Sequence, residues 1–259
     1  HSLSLRPSYR ACLIRAKGSV LQLTSPHDVL GEVIGDYLSQ DAILRQMQER
    51  SYEILSRHPL NLERKRQGKN PANSIWFWGA GTRPDLSSFY EKYHKRGVMI
   101  SAVDLLKGIA VGAGMDNISV EGANGGLHTN YEGKARAAVK ALSLDGYDFA
   151  YIHVEAPDEM GHQGSVDRKI QAIENLDQRV IRLVKEGLDE ANVPYRMLVL
   201  PDHPTPIRVR THTADPVPYL LYDSSRKEEH SYHYNEKEAA LTDHKLAEGW
   251  MMMERLFAE

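Results

Sequence analysis

The chain of 259 residues contains a single cysteine, Cys12. No intramolecular disulfide can form, and a reducing compartment, the cytoplasm, is the expected location. No apolar run reaches the roughly 18 residues of a membrane span, so no membrane partner is expected. Charge of neither sign dominates: 32 Lys and Arg face 35 Asp and Glu, a net of -3. That balance excludes a charge-swollen disordered chain and gives no footprint for nucleic acid. Aromatic residues make up 8%, and no stretch interleaves them with basic residues as a single-strand groove would. The short basic cluster Arg64-Lys65-Arg66 with Lys69 suits a small anion. The first residues, His1 to Arg6, form neither a signal peptide nor an ordinary initiation site, so a piece of something longer is expected. No internal repeat or low-complexity segment is present.

With 41% hydrophobic residues, there is core enough for one large domain, or one domain plus a smaller piece. Residues 8–16 predict a strand. Pro26 to Val29 carries a helix-start signature with Asp28 as N-cap. Apolar spacing predicts a helix over 40–57, ended by Pro59. Residues 60–73 are polar and basic, as in a linker or binding loop. Beyond them come a buried strand over 74–79, a helix over 84–95, a strand at 97–101 and a helix over 102–113. A strand follows at 117–121, then a helix over 131–143 and a strand over 147–154. A long helix over 165–190 places Val166, Ile170, Ile173, Leu176, Val180, Ile181 and Val184 on one stripe. Strands at 195–201 and 217–222 precede a largely helical 236–258. Such alternation predicts an α/β fold, a mostly parallel sheet covered by helices on both faces.

Asp158 and His162 stand four apart, which on a helix puts both on one face, able to share one ion. They follow directly after the strand 147–154, and Asp202-His203 follows the strand 195–201 in the same way. Sites in open α/β sheets lie beyond the carboxyl ends of strands. With His212 these residues offer carboxylate oxygens and imidazole nitrogens from three segments, a donor set for a pair of divalent ions. Asp-His-Pro is also a good turn. Adjacent side chains diverge, so Asp202 and His203 bridge or serve two ions; spacing leaves that open. His153, just inside a strand, reads as a strand-end residue. His27, His58, His94, His128, His230, His233 and His244 read as structural or solvated.

At these residues the chain resembles the cofactor-independent phosphoglycerate mutases, archaeal-type branch, of the alkaline phosphatase superfamily. The resemblance covers essentially the whole chain. It runs through Ser8-Tyr9-Arg10, Pro26-His27-Asp28, the segment His58 to Asn61, the segment Gly68 to Gly79, the segment Ala102 to Ala110, the segment Thr129 to Lys134, the Asp158/His162 motif, the segment Asp202 to Pro206 and the segment Thr211 to Pro218. Similar sequences have also been labelled metal-dependent homoserine kinases, a weaker account of the same family.

The resemblance implies two divalent ions, manganese first, with zinc, cobalt or magnesium as alternatives, and no 2,3-bisphosphoglycerate. One ion would take Asp158, His162 and His212; the other would take Asp202 and His203. Lys69, ten residues before Gly79, would contact the phosphoryl group as a catalytic residue, with Arg10 and Arg64 on the substrate's anionic groups. Arginine's planar fork suits carboxylate and phosphate. The implied reaction interconverts 3-phosphoglycerate and 2-phosphoglycerate through a phosphoserine. Residues 1–66 would be the C-terminal remnant of an inserted, substrate-gripping domain, and 67–259 the phosphatase-like metal-binding domain. The family's N-terminal Asp-Gly and nucleophilic-serine motifs have no match here; Ser74, Ser101 and Ser165 are not in that motif. The resemblance therefore implies a C-terminal two-thirds, expected to be inactive alone. The alternatives are a phosphatase or phosphotransferase acting on another small phosphate ester, and a non-catalytic metal-binding module. A phosphoglycerate is the expected small-molecule partner, and self-association is left open.

Overall fold

The computed structural model describes residues 2–5, 11–29, 31–226 and 232–258. It divides into two compact units, His1–Pro84 and Asp85–Glu259.

In the first unit, β1 (Ser2–Leu5) and β2 (Ala11–Ile14) pair antiparallel, Leu3 opposite Leu13. The strand expected over 8–16 is thus found at 11–14, while Arg10 lies outside the described residues. Pro26–Val29 makes one short 3-10 turn. Asp28 sits inside it rather than at its N-cap, its N–H bonded to the Ser25 carbonyl at 3.1 Å. Helix α1 (Ala42–Leu55) starts at Asp41, whose carboxylate accepts from the N–H groups of Ile43 and Leu44. Arg15 donates to its other oxygen at 2.7 Å, and that bond holds the carboxyl below its ordinary range.

Pro59 does more than end α1. It is the first residue of α2 (Pro59–Arg66), where its missing N–H would be unpaired in any case. The first half of the expected 60–73 loop is therefore helical, with the His58 ring accepting from the Leu60 N–H. Buried Asn61 then fastens α2 to the following segment: its amide donates to the Leu55 and Ala72 carbonyls and its oxygen accepts the Ala72 N–H. Residues 74–79 are not the expected buried strand. The Ile75 N–H goes to the Ser51 hydroxyl and the Trp76 indole N–H to the Thr24 carbonyl. Among the described residues no strand pairs with this segment, and an apolar run forms a strand only where a neighbour supplies the ladder.

The second unit is the α/β body. Helix α3 (Phe89–Tyr93) is shorter than the expected 84–95. The Ser88 hydroxyl opens it, and His94, in the left-handed region at φ 52°, ends it. Strand β3 (Gly97–Ile100), helix α4 (Asp104–Gly112), strand β4 (Asp116–Asn117), helix α5 (Tyr131–Ser143) and strand β5 (Phe149–Ile152) follow. The three strands form a parallel sheet in the order β4-β3-β5, Val98 pairing with Asp116 and with Ala150. The strand expected at 117–121 reduces to the two residues of β4. β3 is buried along its whole length, as a central strand flanked by helices must be.

Helix α6 (Ala156–His162) leads to α7 (Val166–Leu176), a π-turn at Asp177–Ile181 and α8 (Arg182–Glu190). The expected long helix is present, but its buried line is Ala172, Val180, Val184 and Leu188, with Leu176 partly buried. Val166, Ile170 and Ile173 are about half exposed, on the opposite side. A four-residue repeat drifts by about 40° per step on a regular helix, and the wider π-turn takes up part of that drift. Arg179, in the π-turn, pairs with Glu132 at 2.5 Å and lies over the Tyr131 ring. Fully buried Ala135 and Ala138 let α5 lie close against this helix and the sheet.

β6 (Arg196–Val199) and β7 (Leu220–Asp223) form a separate antiparallel pair. In the stretch expected to be largely helical, α9 (Glu236–Ala239), a 3-10 turn at Gly249–Met251 and α10 (Met252–Phe257) are separated by irregular chain. Thr242, Asp243 and Gly249 interrupt the periodicity there. Among the described residues no helix is long and apolar enough to cross a membrane.

Candidate metal centre

The parallel strands deliver their carboxyl ends to one edge. There Ser101, after β3, and His153, after β5, meet across the strand ends, Oγ to Nδ1 at 3.2 Å. The chain then turns into α6, with Pro157 in its first turn. Asp158 and His162 fall on one face of this helix, Oδ2 to Nε2 at 3.3 Å. His212 arrives from a distant loop. Its Nε2 lies 3.1 Å from His162 Nε2 and 3.4 Å from Asp158 Oδ1. Asp158, His162 and His212 thus form a group whose candidate ligand atoms all lie within 4.8 Å of one another.

The donor chemistry favours a cation. A carbonyl oxygen only accepts, so the contact of His162 Nδ1 with the Arg210 carbonyl at 2.9 Å puts the ring proton on Nδ1. The Nε2 lone pair of His162 then faces His212 and Asp158, a convergence that needs a proton or a positive ion between them. Bonds of about 2.1 Å set ligand atoms about 3.4 Å apart in a tetrahedron and about 3.0 Å apart in an octahedron. The His162 Nε2–His212 Nε2 separation of 3.1 Å falls in that interval, and Asp158 offers one oxygen to each ring, Oδ2 to His162 at 3.3 Å and Oδ1 to His212 at 3.4 Å. Borderline nitrogen and hard oxygen donors suit zinc, manganese, cobalt and their neighbours without choosing among them.

Asp202 and His203 lie beside this group. The His203 ring faces that of His212, centroids 3.7 Å apart. Asp202 is largely exposed, 3.4 Å from His203 Nε2. Lys69 and Arg64 belong to the first unit. The Arg64 Nε donates to the Asn70 carbonyl at 2.8 Å, and the exposed Lys69 ammonium donates to Gln67 Oε1.

Several side chains around the centre have roles that the sequence did not reveal. Thr205, in a sequence that reads as a turn, donates its hydroxyl to Asp158 Oδ1. Lys169 donates to the Thr205 carbonyl at 2.7 Å. Lys134, fully buried on α5, donates to the His153 carbonyl at 2.8 Å, tying down the chain between β5 and α6. Burial pushes the Lys134 ammonium's pKa down, and Glu155 opposes that shift. Burial pushes the Glu155 carboxyl up, helped by Glu159. His153 is pushed down by burial and by the nearby Lys134. The spacing from Thr129 to Lys134 was visible as part of the family resemblance, but nothing in it announced a buried ammonium behind the site.

A family model described as the Metalloenzyme superfamily matches residues 40–249. The chain is 47% identical over 226 residues to a 2,3-bisphosphoglycerate-independent phosphoglycerate mutase of Methanosarcina mazei, across 85% of this chain and 56% of that protein. Among solved structures, the PH0037 protein from Pyrococcus horikoshii aligns over 77% of this chain and 51% of its own, with 32% identity and a TM-score of 0.66. A cofactor-independent phosphoglycerate mutase from Thermoplasma acidophilum aligns over 83% and 50%, at 22% identity and a TM-score of 0.53, a likeness of fold. The chain spans less than two-thirds of the length of the curated relatives it matches.

Proposed function

The chain belongs to the Metalloenzyme superfamily, and from that premise we propose that it carries the metal-binding part of a phosphoglycerate mutase that needs no 2,3-bisphosphoglycerate. The reaction is the interconversion of 3-phosphoglycerate and 2-phosphoglycerate, a cytoplasmic step of glycolysis. One observation carries the reading: the Asp158, His162 and His212 ligand atoms converge beyond the carboxyl end of β5. The activity for which the Methanosarcina relative is named supplies the substrate class.

In this reading Asp158, His162 and His212 hold one divalent ion, and Asp202 and His203 serve a second, manganese in both. When bound, the ions would offset the charge that develops on a transferring phosphoryl group. The Arg210 carbonyl keeps the His162 proton on Nδ1, so the ring presents its lone pair without a change of tautomer. Lys69 meets the phosphoryl group, and Arg10 and Arg64 grip the anionic ends of the substrate. Residues 1–66 are assigned to a substrate-gripping domain and 67–259 to the metal-binding domain; the compact first unit, His1–Pro84, supports a distinct first body but runs on past the assigned boundary.

The test is an enolase-coupled assay of 3-phosphoglycerate with manganese, run on the full-length polypeptide and its Asp158→Asn variant. Turnover that disappears with Asp158→Asn is expected. Full-length protein that loads manganese yet acts only on another phosphate ester, homoserine phosphate for example, would replace this substrate assignment.

A further inference from the structure

Thr205 touches both candidate ligand groups. It is 4% exposed, between Pro204 and Pro206. An ionised carboxylate has no proton to give, so the Thr205 hydroxyl is the donor in its bond to Asp158 Oδ1. That leaves an oxygen lone pair facing His203 Nδ1 at 3.4 Å, just beyond the roughly 2.7–3.2 Å usual for an N–H···O bond. The buried Thr205 lone pair favours a proton on Nδ1, while the largely exposed Asp202 carboxylate, also 3.4 Å away, faces Nε2; the hydroxyl tips the ring toward the form with a free Nε2 pair, the form a metal ligand needs.

The backbone under this hydroxyl is held on three sides. Lys169 donates to the Thr205 carbonyl. On α6, Gly161 passes so close that a Cβ there would stand 2.5 Å from the same oxygen. Pro206 restricts Thr205 itself to extended conformations. The hydroxyl is thus positioned before any ion arrives, and little ordering entropy remains to be lost.

We propose that Thr205 is a positioning residue whose hydroxyl orients Asp158 and sets the His203 tautomer, joining the two ligand groups into one preorganised centre. This rests on the metal-centre reading above. Outer partners of metal ligands typically change affinity by about 10- to 100-fold, and that is the effect assigned to this hydroxyl.

The test compares the chain with Thr205→Val, which keeps the shape and removes the hydroxyl, and Thr205→Ser, which keeps the hydroxyl and removes the methyl. Cobalt(II) is titrated by visible absorption and manganese(II) by calorimetry, with thermal unfolding of the metal-free proteins alongside. Thr205→Val is expected to bind about 10- to 100-fold more weakly, while Thr205→Ser stays within about threefold of the unaltered chain. Wild-type affinity in Thr205→Val overturns the proposal; so does a Thr205→Ser loss as large as that of Thr205→Val, which would assign the effect to methyl packing. If Thr205→Val does not fold, nitrogen-15 NMR of the unaltered metal-free chain at pH 8 decides: a proton on His203 Nδ1 is expected, and one on Nε2 overturns the proposal. An unaltered chain that takes up no ion sinks the metal-centre reading instead, and the tautomer then still tests the Thr205 contact.

Discussion

Gly161 stands one residue before His162, where α6 passes the Thr205 segment. A Cβ added there would lie 2.5 Å from the Thr205 carbonyl oxygen, 3.0 Å from Thr205 Cγ2 and 3.1 Å from Lys169 Nζ. Lys169 can swing aside, but the carbonyl is backbone and cannot. Helix propensity alone favours Gly161→Ala by about 1 kcal/mol. Overpacking of this kind costs about 1–3 kcal/mol, so the net expectation is a loss of up to about 2 kcal/mol. Gly108, exposed on α4 with nothing within 4 Å of its added Cβ, is the control. Gly108→Ala should gain the full ~1 kcal/mol. The difference between the two variants in urea unfolding then isolates the collision, about 1–3 kcal/mol. Moving the Thr205 segment also pulls its hydroxyl from Asp158, so cobalt affinity in Gly161→Ala should fall about tenfold or more. A Gly161→Ala protein stabilised as much as Gly108→Ala, with unchanged cobalt affinity, would refute this packing.

Two further perturbations probe the groups around the site and the β6–β7 pair. Lys134→Met should cost about 1–3 kcal/mol in urea unfolding, because it leaves the His153 carbonyl without its donor and removes the positive charge that acts on half-buried Glu155. The double variant Lys134→Met/Glu155→Gln should recover part of that, and an equal loss in single and double variants would refute the charge interaction. Asp223 is held down to about 2 by the Ser225 hydroxyl and then by Arg196. Its folded-state value lies below the unfolded one, so its stabilisation is full above about pH 4 and is lost as pH falls through about 2. The stability gap between the chain and Asp223→Asn should therefore be present at pH 6 and shrink toward pH 2; a gap independent of pH would count against it.

What the sequence made legible followed from local rules. The four-residue spacing of Asp158 and His162 becomes one helix face because nothing between them breaks α6. Helix α5 begins and ends as its periodicity predicts, since Asn130 caps it and its alanines face the core. Pro59 was ambiguous on physical grounds: seen from upstream it stops a helix, seen from downstream it starts one. Residues 74–79 carry the apolar composition of a strand, but composition does not provide a neighbour. The 166–184 stripe merged two lines of apolar residues because a π-turn leaves no mark in hydrophobic spacing. Thr205, Lys134 and the Ser101–His153 contact were illegible for a common reason. Their roles depend on partners 19 to 52 residues away in sequence, brought together only by the sheet edge and α6.

The most direct measurement is calorimetric titration of the chain with manganese(II), beside variants Asp158→Asn, His162→Ala and His212→Ala. Tight binding at these three side chains, weakened by each substitution, is expected from their convergence. Manganese uptake that is unchanged in all three variants, or none by the unaltered chain, would contradict the metal centre.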